Sequence, residues 1–247
     1  MNIANLLPIA ADEKVTSMIR VPEFDEEKYL VMVTKQGIIK RISLNAYNTA
    51  RKGGLIALEL NEGDELAWVR LTDGNQQVIV ATKNGLAIRF EETDVRPMGR
   101  QARGVKAISL REGDCVVGMC VVANDDLILT ASETGFGRIS NVSDYRLQSR
   151  GGKGITNYHT EKYGNVAAVS AVKLDEDIII ISQEGVIIRI AADTVRICNR
   201  PSKGVTLMRI GENDKVVTVA RAPHEDSESK KTEETSEEET SEENTDP

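Results

Sequence analysis

A repeat of about fifty residues constrains this 247-residue chain more than anything else in it. Four apolar-turn-apolar segments recur: YLVMVTKQGIIKRIS (29–43), QVIVATKNGLAIRF (77–90), LILTASETGFGRIS (127–140) and IIIISQEGVIIRI (178–190). Each holds a β-branched run, a polar turn with glycine, and a second run with a basic residue near its end. This pattern predicts β-hairpins, glycine supplying the positive φ of a tight turn. The turn glycines Gly37, Gly85, Gly135 and Gly185 are spaced 48, 50 and 50 residues apart. A second element keeps the same period: ARKGGLIALELNEGDEL (50–66), QARGVKAISLREGDCV (101–116), SRGGKGITNYHTEKYGNV (149–166) and RPSKGVTLMRIGENDKV (200–216). Its glycines Gly54, Gly104, Gly154 and Gly204 lie 50 apart. A third apolar run follows each: ELAWVRL, VVGMCVV, VAAVSAV and VVTVARA. About four short strands per unit, with no helix, is the pattern of a propeller blade. Aromatics are only 4% of the chain, so Ile, Val and Leu carry the burial, which favours strands.

The expected fold is therefore all-β: a propeller-like disc of four-stranded blades, about fifty residues each. The repeats are expected near 29–76, 77–126, 127–176 and 177–222, making one domain over 1–222. Val15 aligns with Val116 and Val216, so the chain begins inside a repeat, past its basic turn. A partial blade is expected over 1–28, with the first blade incomplete or missing. Beyond residue 222 the pattern stops. SESKKTEETSEEETSEENTDP has nothing apolar to bury, and 223–247 is expected to be a disordered acidic tail.

The net charge of −8 hides an uneven distribution. The tail holds eleven carboxylates and two lysines, leaving 29 basic against 28 acidic residues in 1–222. In a neutral body, the placement of the cations decides the function. The turns around the glycines of the second element, called the box glycines below, are basic: Arg51 and Lys52; Arg100, Arg103 and Lys106; Arg146, Arg150 and Lys153; Arg200 and Lys203. The hairpin ends add Lys40, Arg41, Arg89, Arg138 and Arg189. Repeats around an axis bring equivalent positions onto one rim, which suits a phosphate backbone read without sequence. Glycines beside the cations let backbone come close and offer N–H groups. Aromatics are scarce in these turns, which argues against base stacking on single strands. The expected partner is a nucleic-acid duplex, held by its backbone over a curved surface. Each box taken alone also fits an ordinary solvated turn, and the hairpins are needed by any propeller.

The chain offers little to an enzyme. Gly152-Lys153-Gly154-Ile155-Thr156 approaches a P-loop but has glycine where Ser or Thr must follow the lysine, and no helix is predicted after it. His159 and His224 are the only histidines, so there is no HExxH and no triad. The recurring Glu-Gly-Asp (62–64 and 112–114) reads as turn chemistry. Cys115, Cys120 and Cys198 lack CxxC spacing and are expected to be reduced thiols. No catalytic residue, metal or cofactor is expected in this chain. The N-terminus reads as no signal peptide, and no run reaches the about 20 apolar residues of a membrane span.

NLLPIAADEKVTSMI, TKNGLAIRF, VRPMGRQARGVKAISLREGD and SKGVTLMRIGENDKVV together resemble the C-terminal domain of the bacterial DNA gyrase A protein, over about residues 2–222. The resemblance implies a β-pinwheel disc that bends DNA around a positive rim. It implies a wrapping module that directs negative supercoiling, in partnership with the gyrase A dimer and the gyrase B protein. The catalytic tyrosine and the ATPase of that topoisomerase would lie outside this chain. Cytoplasmic, nucleoid-associated and bacterial localisation follows, and the isolated domain is expected to be monomeric. The hallmark Gln-Arg-Arg-Gly-Gly-Lys-Gly box has its nearest match in Gln148, Ser149, Arg150, Gly151, Gly152, Lys153 and Gly154, a degenerate copy in a later repeat that departs at Ser149. The acidic tail either competes with DNA for the rim, as a polyanion would, or merely solubilises the domain. The alternatives are the paralogous A protein of topoisomerase IV and a propeller scaffold for other proteins.

Overall fold

The computed structural model of the chain describes residues 15–21, 23–49 and 54–224. The first repeat gives β1 (Tyr29–Thr34), β2 (Ile38–Ser43) and β3 (Leu66–Thr72). The second gives β4 (Gln77–Thr82), β5 (Leu86–Glu91), β6 (Val105–Lys106) and β7 (Val116–Val122). The third gives β8 (Leu127–Ser132), β9 (Phe136–Asn141), β10 (Ile155–Thr156) and β11 (Val166–Val172). The fourth gives β12 (Glu176–Ser182), β13 (Ile187–Ala191), β14 (Val205–Thr206) and β15 (Val216–Pro223). A one-turn helix, α1 (Thr160–Tyr163), takes the place of the Glu-Gly-Asp turn in the third repeat and ends at Gly164, whose φ is 82°.

Every hairpin turn is built alike. Thr34, Thr82, Ser132 and Ser182 precede the turn, and their hydroxyls accept from the N–H of Ile38, Leu86, Phe136 and Val186 at 3.1–3.3 Å. The side chain stands in for a backbone acceptor where the strand must reverse.

The strands form four antiparallel sheets, ordered β3-β1-β2-β6, β10-β5-β4-β7, β11-β8-β9-β14 and β13-β12-β15. The short strand of each box leaves its own repeat and completes the sheet of the preceding one. Ile38 faces Lys106 and Ile39 faces Val105 in the first such joint. In the next two, Leu86 faces Thr156 and Phe136 faces Thr206. This exchange corrects the simple expectation of four strands drawn from one repeat.

Sheets stack face to face as the blades of a propeller-like disc, so both faces of an inner strand are buried. Side chains alternate between faces with a period of two. Val78 and Val80 of β4 join Val31, Val33 and Ile39 in one core, whereas Ile79 and Ala81 join Ile128, Tyr145 and Val169 in the next. A third core packs Leu129 and Ala131 against Ile178, Ile180 and Met208. Full burial of each such aliphatic side chain contributes about 1.5–3 kcal/mol. A register slip of one residue would swap the two cores of a strand. In the end blade β15 is largely exposed, and β13 is half-buried with Ile188 and Ile190 against the third core.

β7 touches both β3 and β11, and β11 touches β15. Residues of all four strands, Arg70, Met119, Ser170 and Arg221 among them, line one small central cavity of about 170 Å³. These strands lie nearest the axis. β6, β10 and β14 occupy the opposite sheet edges, at the perimeter.

Candidate nucleic-acid interface

Each box loop reaches the perimeter along the second hairpin strand of the preceding repeat. The N–H groups of Met98, Gln148 and Cys198 donate to the carbonyls of Arg41, Arg89 and Ile139 at 2.9, 2.8 and 2.8 Å. The chain then bends at Gly104, Gly154 or Gly204, with φ of 98°, 74° and 81°. A Cβ at Gly104 would stand 2.6 Å from the Ile39 carbonyl oxygen, and one at Gly154 2.5 Å from that of Ala87. At Gly204 it would collide with the Gly137 carbonyl. Only glycine combines that φ with so close an approach.

The cations of these loops fall in three columns with a step of 50 residues: Arg96, Arg146 and Arg196; Arg100, Arg150 and Arg200; Arg103, Lys153 and Lys203. The first column is exposed. Reasoning from the sequence selects only Arg146 of the three. Arg96 and Arg196 are missed, although the 50-residue step that marks the glycines also marks them.

The middle column turns inward. Arg150 donates through Nε to the Asp94 carbonyl at 3.0 Å and through Nη1 to that of Lys106 at 3.2 Å. Arg200 repeats the grip on Asp144 (Nε, 2.9 Å) and Thr156 (Nη1, 2.6 Å), and its guanidinium lies over the Tyr145 ring. Both arginines fasten a box loop to the repeat before it. Arg100 is half-buried, and its carbonyl accepts from Lys40 Nζ at 2.5 Å.

In the third column two of the three cations face outward. Arg103 is exposed and pairs with Glu59 at 2.5 Å, a hydrogen bond that raises its pKa. Lys153 is exposed, as is Lys106 on β6. Lys203 is half-buried, its ammonium 3.5 Å from the centre of the Phe136 ring. Arg51 and Lys52 lie outside the described residues.

The hairpin-end cations require a correction. Lys40, Arg41, Arg89 and Arg138 are buried and cannot line a rim. They occupy two equivalent positions, three and four residues after the turn glycine. Lys40, with no exposed surface, donates to the carbonyls of Ala57, Arg100 and Ala102 at 2.7, 2.5 and 3.1 Å. Arg138 donates to the Asn157 carbonyl at 2.6 Å. Arg41 pairs with Glu92 at 3.4 Å and stacks on Tyr29. Arg89 binds the Val142 and Tyr145 carbonyls at 2.9 and 3.0 Å, along with Gln77 and Asn124. Burial pulls the pKa of Lys40, Arg89 and Arg138 downward. Arg189 is the more open counterpart, held by Asp177 (2.6 Å) and the Pro223 carbonyl (2.6 Å). In a two-layered blade edge a long cation can turn back to collect backbone carbonyls, and its charge is then spent inside the fold.

The degenerate box is a seam. Gln148 N–H joins the Arg89 carbonyl, and Gly151 N–H joins that of Ala107 at 2.6 Å. The Gly152 carbonyl accepts from Ser109 N–H at 2.8 Å, and the Gly151 carbonyl from the Ser109 hydroxyl at 2.8 Å. Ser149 and Lys153 face solvent, and Gly154 makes the bend into β10. Strand β10, not a helix, follows Lys153, so nothing of a P-loop is formed.

Asp64 Oδ1 accepts from Gln36 and Glu65 N–H, and Asp114 Oδ1 from Asn84 and Cys115 N–H, at 2.8–2.9 Å. The Glu-Gly-Asp motif is thus a turn lock against the hairpin of its own repeat. Among the described residues no group of three His, Cys, Asp or Glu side chains could hold a metal ion. The three cysteines are free. No helix among the described residues is long and apolar enough to cross a membrane.

The comparisons with known proteins agree with this architecture. The family model "DNA gyrase C-terminal domain, beta-propeller" matches four successive segments, 28–73, 76–122, 126–173 and 176–223. The DNA gyrase A protein of Clostridium acetobutylicum is 53% identical over 105 residues, which cover 42% of this chain and 13% of that protein. The gyrase A protein of Halalkalibacterium halodurans is 55% identical over 104 residues, 42% of this chain and 12% of that protein. The chain thus matches only about an eighth of the length of these relatives. Among solved structures, a C-terminal domain of DNA topoisomerase IV superposes with a TM-score of 0.85 at 26% identity, covering 96% of this chain and 75% of that one. A DNA gyrase A C-terminal domain superposes with a TM-score of 0.79 at 28% identity, covering 90% and 75%. With four segments matched in succession, each spanning one hairpin and its box, the chain belongs to the DNA gyrase C-terminal domain family of β-propellers.

Proposed function

We propose that the chain binds double-helical DNA along its perimeter and bends it, as the wrapping module of a gyrase A protein. One observation carries this reading: the box loops of three successive blades present cations at equivalent positions on the outer sheet edges. The contacts are assigned to Arg96, Arg103, Lys106, Arg146, Lys153, Arg196 and Lys203, with Arg100, Arg150 and Arg200 holding the loops in place. Such contacts meet phosphates and carry no sequence preference. Strand cleavage and ATP hydrolysis belong to other parts of the assembled topoisomerase, whose gyrase A and gyrase B proteins are the partners. The two sequence relatives named above are gyrase A proteins, which favours gyrase. A role in topoisomerase IV is the second reading, favoured by the higher TM-score of that enzyme's C-terminal domain.

The deciding experiment relaxes circular DNA in the presence of the chain and reads the topoisomers. A gyrase-type wrap leaves linking-number changes of the positive-handed sense, growing with protein. Retardation of linear duplex with no topoisomer shift would mean binding without wrapping. No retardation at low salt would remove DNA from the reading and favour a scaffold for proteins.

A further inference from the structure

The α1 turn reverses a charge that the other repeats keep. At steps of 50 residues, Lys162 stands where Glu62, Glu112 and Glu212 stand, and Gly164 stands where Asp64, Asp114 and Asp214 stand. The first position is exposed in all four repeats, so packing does not choose its sign. The second is a structural carboxylate in three of them. Asp64, Asp114 and Asp214 accept from the N–H of Gln36, Asn84 and Glu184 in the hairpin turn at 2.9, 2.9 and 3.1 Å. The third repeat keeps this lock without an acid, because the Thr134 hydroxyl donates to the Tyr163 carbonyl at 2.6 Å. The turn is secured there with both carboxylates gone.

Residues of α1 form one wall of a groove of about 910 Å³, and the box loop of the fourth repeat forms the other. His159, Lys162, Arg196, Arg200 and Lys203 line it, and among the described residues no carboxylate does. Glu161, the acid of α1, is exposed outside the lining. Arg200 is committed to the Asp144 and Thr156 carbonyls, whereas Lys162 and Arg196 are exposed. Lys203 is turned towards α1. Its ammonium lies 3.5 Å from the centre of the Phe136 ring and 5.9 Å from that of Tyr163, and its carbonyl accepts from the Tyr158 hydroxyl at 3.1 Å. Cations gathered without counter-ions repel one another, and a polyanion laid among them relieves the repulsion. Arg196 and Lys203 also belong to the cation columns of the perimeter, so the groove opens onto the path already assigned to the duplex.

We propose that the duplex backbone enters this groove at the joint between the third and fourth repeats, and that Lys162 is a phosphate contact there, outside the box loops. Resting on duplex binding at the perimeter, this contact adds an asymmetry to it. The matching turns of the first, second and fourth repeats present Glu62, Glu112 and Glu212, which repel a phosphate at the same place. The disc therefore grips DNA over a broader width at this joint than the box loops alone provide. Reasoning from the sequence passes over Lys162, because it lies outside the basic turns that the glycines mark.

The test is fluorescence anisotropy with one duplex across a salt series, on the 247-residue chain and on Lys162→Gln, Lys162→Glu and Lys173→Gln. Lys173 is exposed at the central cavity and serves as the control for loss of one charge. Lys162→Gln should flatten the slope of log K against log salt by about 0.9 and weaken binding about eightfold at roughly 0.1 M salt, as loss of one phosphate contact requires. Lys162→Glu, which restores the residue type of the other three repeats, should weaken binding further with an unchanged circular dichroism spectrum. Lys173→Gln should leave the slope as it is. A slope that Lys162→Gln leaves unchanged, or equal losses in Lys162→Gln and Lys173→Gln, would overturn the groove contact while duplex binding at the perimeter stands. No salt-dependent binding by the unsubstituted chain would overturn both.

Discussion

Lys40 and Arg138 look in sequence like their exposed neighbours, since a basic residue ending a strand is ordinarily solvated. What removes them from the surface is a cluster of backbone carbonyls supplied by residues 17–62 positions away. No local pattern announces such long-range acceptors. Replacing Lys40 with Met should therefore lower stability by about 1–3 kcal/mol, because three carbonyls lose a buried donor. Duplex affinity should hardly change. Chemical denaturation beside a gel shift checks both halves, and a large drop in affinity in a folded variant would restore Lys40 to the interface. Cys120 is legible in sequence as a core thiol, and burial pushes its pKa up to about 11. Below its ordinary value of 9.0 the thiol is protonated whether the chain is folded or not, so its contribution to stability is complete there. That contribution declines as pH rises from 9.0 towards 11. At pH 8 alkylation followed by mass spectrometry should leave Cys120 unmodified until the protein unfolds.

At the scale of elements, the hairpins are fully readable in the sequence. Alternating β-branched runs, a Ser or Thr and a glycine determine each turn locally, and the hairpin strands lie within the four segments the sequence marks, or within two residues of them. The short box strands are not readable, because two residues carry no periodicity and their partners lie in another repeat. The α1 turn escapes for a related reason: four residues are too few for a helical pattern. The box glycines nevertheless carry the clue. Gly104→Ala or Gly154→Ala should cost about 1–2 kcal/mol for the left-handed φ and more for the collision with Ile39 or Ala87. Gly185→Ala should cost the first part alone, since a Cβ there meets nothing within 4 Å. Thermal melts of the three variants at low concentration would give this order, and equal destabilisation would contradict the close approaches.

For the whole molecule, the period tells the fold class and the placement of box cations on one edge, whereas the net charge of −8, most of it in the tail, tells nothing. Which cations remain outward depends on packing: Arg103 and Lys153 are exposed, while Arg150 and Arg200 from the same loops clamp the preceding repeat. Neutralising Arg103, Arg146 and Lys153 with Gln should flatten the dependence of log K on log salt by about 0.9 for each phosphate no longer neutralised. The weakening should be equal on unrelated duplex sequences, as measured by fluorescence anisotropy across a salt series. A weakening confined to some sequences would mean that bases are read.

The strand exchange also has a mechanical outcome. A pull on an outward cation of a box loop is delivered to a segment hydrogen-bonded into the adjoining blade, with its bend locked behind a carbonyl. Force applied by a duplex wrapped as proposed would therefore load two blades at once along their shared seam, and tightening the curve would draw neighbours together instead of peeling one hairpin away.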